Sequence, residues 1–173
     1  FDEWAVEFSN QLLVPVDNLI ARGNEAFLAG ADSQGRTYVQ LVLGMSAKVL
    51  GTRADGTPMA EGSARARLLL PESECHGAVR LLQSVLHNCA GHVDMHVPSI
   101  VHMCLHGLQT SETVSMRTLL LDAVASCLYY NPAIALGAME QLGASQTIMQ
   151  GWLRHCTENV ARLRTHDIKC MVV

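Results

Sequence analysis

The chain has 173 residues, 49% apolar, 16% charged and 5% aromatic, with a formal charge of −4 from 16 acidic and 12 basic side chains. This mild acidity excludes the dense Lys/Arg face that a phosphate backbone requires, so direct binding of nucleic acid is not expected. No apolar run approaches the roughly 18 residues of a membrane span. Six cysteines without a C-x-x-C pair predict free thiols in a reducing compartment rather than a disulfide framework.

The first predicted helix, residues 2–22, carries Trp4, Phe8, Leu12, Leu13, Val16, Leu19 and Ile20, with a kink at Pro15 and a stop at Gly23. A turn-rich link over 30–35 leads to a helix over 37–50, with Tyr38, Leu41, Val42, Met45 and Val49 on one side. The Gly-, Ala-, Arg- and Ser-rich stretch 51–71 reads as a disordered surface insertion; a basic partner-binding loop through Arg53, Arg65 and Arg67 is the lesser alternative. Three apolar stripes at helical spacing follow. The first, over 73–90, has Val79, Leu82, Val85, Leu86 and Cys89. The second, over 95–109, has Val97, Ile100, Val101, Cys104, Leu105 and Leu108, with Asp94 as its cap. The third begins at Glu112 and runs through Met116, Leu119, Leu120, Ala123, Val124, Cys127 and Leu128. Asn131-Pro132 then ends one helix and starts the next, since Asn caps and Pro suits a first helical turn. Helices are predicted near 133–142 and 146–163, the latter with Ile148, Trp152, Cys156 and Val160. A last helix opens at His166-Asp167 and reaches Val173 without a stop signal. That uncapped finish, with Phe1 at the start, predicts a piece of a longer protein.

Helix starts at Ser73 and Glu112 are 39 residues apart, close to the roughly 40–47 of HEAT or armadillo-like helical units; the next interval, to His166, is 54. The predicted fold is all-α: a HEAT-repeat α-solenoid, a right-handed stack of antiparallel helix pairs. It forms one segment, 1–173. Within it, 1–22 is the second helix of a truncated repeat, 37–91 a repeat carrying the 51–71 insertion, 95–130 a repeat, and 132–173 a truncated repeat.

Chemistry is sparse. His92 and His96, and His102 and His106, are pairs four apart with Cys89 and Cys104 nearby, a spacing that can hold zinc on one helical face. Gly91 and the cap Asp94 interrupt that face, and four ligands in two tight pairs are missing, so no metal is predicted. No Gly-flanked nucleophile elbow, phosphate-binding glycine loop or E-x-x-H helix pair is found. Neither a cofactor nor an enzymatic activity is predicted. Tyr129, Tyr130 and Trp152 read as packing residues.

Several local sequences occur in a telling order: Glu74-Cys75-His76, Leu81-Leu82, Asn88-Cys89, Val93-Asp94 with Val97-Pro98, Leu128-Tyr129-Tyr130-Asn131-Pro132, Gln150-Gly151-Trp152-Leu153 and His166-Asp167-Ile168-Lys169-Cys170. This order resembles the C-terminal HEAT repeats of karyopherin-β (importin-β-like) nuclear transport receptors, in the branch of importins seven and eight. The resemblance implies a non-enzymatic carrier for nuclear import that shuttles between cytoplasm and nucleus. It implies basic cargo such as ribosomal proteins or histones, with Ran-GTP (a small GTPase) and nucleoporins bound by the full-length receptor. If the second helix of each pair lines the inner surface, Glu74, Glu112, Asp122 and Asp167 are expected to face cargo. The alternative is a HEAT-repeat scaffold or regulatory subunit unrelated to nuclear transport.

Overall fold

A computed structural model gives the structure of the chain and describes residues 9–59, 70–161, 163–165 and 168–169. Its helices are α1 (Ser9–Ala29), α2 (Tyr38–Val49), α3 (Glu72–Asn88), α4 (Val97–Thr110), α5 (Val114–Tyr130), α6 (Pro132–Gln141) and α7 (Ser145–Asn159), with a 3₁₀ turn at Asp94–His96 before α4. Among the described residues the only extended pairing is two isolated bridges. Helix α3 lies between α1 and α5 in one layer, while α4 and α6 adjoin in the other. Helix α2 packs on α3, α4 on α5, and α6 on both α5 and α7. This is an α-solenoid of stacked helix pairs. Residues 132–141 and 145–159 touch each other across the turn Leu142–Ala144. The expected helix at Asp167 falls outside the described residues.

The core follows from the apolar stripes. Val79, Leu82 and Val85 of α3, Ile100, Val101 and Cys104 of α4, and Leu120, Val124 and Cys127 of α5 are all fully buried. Each such aliphatic side chain contributes about 1.5–3 kcal/mol on leaving water. On α5 the five consecutive residues Leu120 to Val124 are all buried, and five residues sweep more than one helical turn. The middle of α5 is therefore enclosed on every side. Close approach is part of the design: a Cβ added to Gly107 on α4 would lie 2.9 Å from the Leu120 side chain.

Side-chain caps set several starts. Thr37 and Gln40 form a reciprocal capping box on α2, Thr113 Oγ1 accepts from Met116 N–H on α5, and Asn131 Oδ1 accepts from Ile134 N–H on α6. Helix α1 does not stop at Gly23. The buried pair Ile20 and Phe27 (2% and 1% exposed) carries its apolar face past the glycine to Ala29. Asp94 does not cap α4 either. It lies in the 3₁₀ turn and accepts the Tyr130 hydroxyl at 2.5 Å, while Gly91 and Val93 N–H donate to that same oxygen.

The 51–71 stretch is not uniformly irregular. Gly51–Met59 forms a closed hairpin turn, and residues 60–69 lie outside the described part. This hairpin repeats one before α2, shifted by 21 positions: the bridge Ala31↔Thr37 recurs as Thr52↔Pro58. Asp32 N–H donates to Arg36 O at 2.9 Å as Arg53 N–H does to Thr57 O at 2.8 Å, and Tyr38 N–H to Gly30 O as Met59 N–H does to Gly51 O. Each loop closes on a glycine in the left-handed region, Gly35 (φ 78°) and Gly56 (φ 85°), as three-residue hairpin loops do. Asp32 Oδ1 accepts from Gln34 and Arg36 N–H, and Asp55 Oδ1 from Thr57 N–H. The copies differ in surroundings. A Cβ on Gly56 would sit 2.5 Å from His102 Cβ and 2.6 Å from Ser99 O on α4, whereas one on Gly35 would meet nothing.

This difference separates backbone strain from packing. Gly35→Ala is expected to cost about 1 kcal/mol, for the positive φ alone. Gly56→Ala is expected to cost a further ~1–3 kcal/mol of overpacking against α4. Urea midpoints of the two variants measure this, and equal values would place the second hairpin away from α4.

Candidate functional site

The residues expected to face cargo do not share one setting. Glu74 lies half-buried in the first turn of α3, and Glu112 is exposed in the turn before α5. Between them stands Glu72, which sequence reasoning passed over. Its carboxylate accepts Glu112 N–H at 2.6 Å, Thr113 N–H at 3.0 Å and the Thr113 hydroxyl. A carboxylate is favourable at this helix N-terminus, where backbone N–H groups have no intrahelical acceptor. The result is an acidic corner of Glu72, Glu74 and Glu112 where the N-terminal ends of α3 and α5 meet. The sequence signal for Glu72 is its own position, an acid directly after Pro71 at a helix start.

Asp122 lies in the buried middle of α5. It is 4% exposed, because the enclosure of α5 leaves no solvent face at its middle. Beside it a cleft of about 310 Å³ is lined by His76, Arg80, Thr118, Leu119 and Arg164 as well as Asp122. Two guanidinium groups against one carboxylate make that cleft basic rather than acidic. Asp167 lies outside the described residues.

Histidines and cysteines take packing roles. Cys75, Cys89, Cys104 and Cys127 are buried thiols outside any disulfide, and burial pushes the Cys104 thiol up to about 12, far from the thiolate a nucleophile or metal ligand needs. Among the described residues no three His, Cys, Asp or Glu side chains converge in a way that could hold a metal. His155 is 8% exposed and shares a 2.8 Å hydrogen bond with the Thr118 hydroxyl, fixing α7 to α5. Burial holds its pKa below the usual imidazole value, Arg117 adds to the lowering, and Glu158 opposes it. His76 and His96 are lowered by burial too. Exposed Tyr129 contrasts with Tyr130, whose hydroxyl ties the α3–α4 turn to the end of α5.

With this geometry in hand, known proteins give a consistent picture. The Importin beta-like SAD2 homolog of Arabidopsis thaliana is 27% identical over 156 residues, 90% of this chain and 13% of that protein. The Probable importin-7 homolog of Dictyostelium discoideum is 27% identical over 157 residues, 88% of the chain and 13% of that protein. The chain is similar to importins of the seven/eight branch. Human Importin-8 matches at 34% identity over 76 residues, 41% of the chain and 7% of that protein. The chain thus spans about 13% of the length of the first two relatives. No protein-family model matches it, and no solved structure does. The match spans most of the chain, so the similarity concerns the helical scaffold before any single site.

The histidines give the scaffold a pH dependence of known sign. A lowered pKa means that the unfolded chain takes up a proton near the ordinary imidazole value, about 6.5, that the folded chain refuses. Stability is therefore retained above that value and lost as pH falls from about 7 toward 5. Urea midpoints at pH 7.5 and 5.5 test this, and His155→Gln is expected to shrink the difference.

Proposed function

We propose that the chain is a stretch of an importin-type nuclear transport receptor, a non-enzymatic protein carrier. The supporting observation is the importin similarity over about 90% of the chain, together with its stacked helix pairs. In such a receptor each helix pair touches only its neighbours, so small rotations accumulate into changes of curvature that open or close the arch around cargo. Ran-GTP and cargo compete if they favour different curvatures. Ran-GTP and nucleoporins would engage other parts of the full-length protein as it shuttles between cytoplasm and nucleus. Apolar side chains left exposed on the outermost helices, Leu12 and Leu19 on α1 and Met149 and Leu153 on α7, suit stacking of further pairs.

Within this reading the acidic corner is the cargo-facing element, suited to basic segments such as those of ribosomal proteins or histones. Glu74 and Glu112 present the charge, and Glu72 holds the corner together. The double substitution Glu74→Lys/Glu112→Lys is expected to weaken binding of a fluorescein-labelled lysine-rich peptide at least about tenfold at low salt, where surface attraction is least screened. Fluorescence anisotropy measures it, and unchanged affinity would remove the corner from the cargo surface. For the receptor reading itself, the full-length protein should bind Ran-GTP in preference to Ran-GDP. Equal binding would favour a HEAT scaffold outside nuclear transport.

A further inference from the structure

A second surface differs in sign from the acidic corner. A cleft of about 490 Å³ lies between the C-terminal half of α4, the start of α5 and one face of α7. A smaller one of about 130 Å³ continues it toward Pro58 on the second hairpin. The two share Leu105, Gln109, Leu142 and Ala144, so they form one groove crossing α4.

Its floor is apolar, made by Leu105, Leu108, Leu121 and Ile148. Its walls are basic: Arg117 and Arg154 stand against a single carboxylate, Glu158. Imidazoles line it as well, His155 in the larger cleft and His102 and His106 in the smaller. Arg117 donates from Nε and Nη2 to the Ser111 carbonyl at 3.1 and 2.9 Å. Those two bonds to a neutral carbonyl fix the guanidinium in the wall. The groove also meets the start of α7, where Ala144 offers no side-chain cap, so the positive end of the helix adds to the field. In a chain of net charge −4, this is a local reversal. Room for an occupant is built in at Gly151, which lines the groove and where a Cβ would meet no atom within 4 Å.

We propose that this groove binds an acidic segment of a partner protein carrying leucine-like side chains. The apolar groups rest on Leu105, Leu121 and Ile148 while the carboxylates meet Arg117, Arg154 and the start of α7. An apolar floor under a wall of one charge is the complement of an amphipathic segment of the opposite charge. The surface is separate from the acidic corner and needs no carrier role for the chain.

The test uses the chain and a fluorescein-labelled peptide of about a dozen residues mixing Leu with Glu and Asp. One control peptide replaces the acids by Lys, another the leucines by Ser, and inorganic phosphate serves as competitor. The acidic leucine peptide is expected to bind at least about tenfold more tightly than either control, and phosphate at millimolar concentration should leave it bound. Arg154→Glu is expected to weaken binding about tenfold or more, and Arg22→Glu, the same charge change on the exposed face of α1, to leave it unchanged. Gly151→Leu separates occupancy from stability, because it fills the groove while removing a helix-weakening glycine. It should abolish binding without lowering the urea midpoint. Equal affinity for the acidic and lysine peptides, equal effects of the two arginine variants, or full binding by Gly151→Leu would each overturn the proposal. Displacement by phosphate, or equal binding of the serine peptide, would reduce the groove to an anion surface and overturn it as well.

Discussion

Helix α5 has no face turned to solvent at its middle, and the positions of its neighbours follow from that. Helix α3 covers one side, α4 a second, and α6 and α7 close the rest. Both ends of α5 are then tied to elements far away in sequence. Glu72 of α3 accepts the N–H groups of Glu112 and of the cap Thr113 just before it, and the Tyr130 hydroxyl at its last residue binds Asp94 and the backbone of the α3–α4 turn. These bonds give the helix a fixed height between its neighbours, a precision that apolar packing, being non-directional, does not supply alone.

The same enclosure explains how far the sequence could be read. Stacked amphipathic helices were legible because Val, Leu and Cys recur every three or four positions. Helix starts were legible where a side chain makes the cap, as at Thr37 and Asn131. Gly23 misled because the burial of Ile20 and Phe27 outweighs the modest cost of a helical glycine. Asp94 misled because its partner, Tyr130, lies 36 positions away. The burial of Asp122 was not legible, because α5 buries consecutive residues rather than a single stripe. The hairpin inside 51–71 carries a local signal, Asp55-Gly56, that the surrounding low-order composition obscured.

Function was legible in outline only. The resemblance to importins came from the order of short sequences, and the known relatives agree with it over most of the chain. The acidic corner was half visible, through Glu74 and Glu112, because charge at a helix start is a local property. The basic groove was not visible, because its arginines, leucines and open glycine come from three helices and a turn that only the packing assembles. Two surfaces of opposite sign on one small stack suit a protein that meets more than one kind of partner, since like charges disfavour the wrong pairing at each.

The docked hairpin has a mechanical meaning. By packing Gly56 against Ser99 and His102, it braces the seam between the pair α2–α3 and the pair begun by α4. At the seam toward α7, the His155–Thr118 bond and the buried Ile148 and Trp152 join the helices. The basic groove lies at that second seam, lined by α5 and α7 from opposite sides, so its width depends on how the two helices are held.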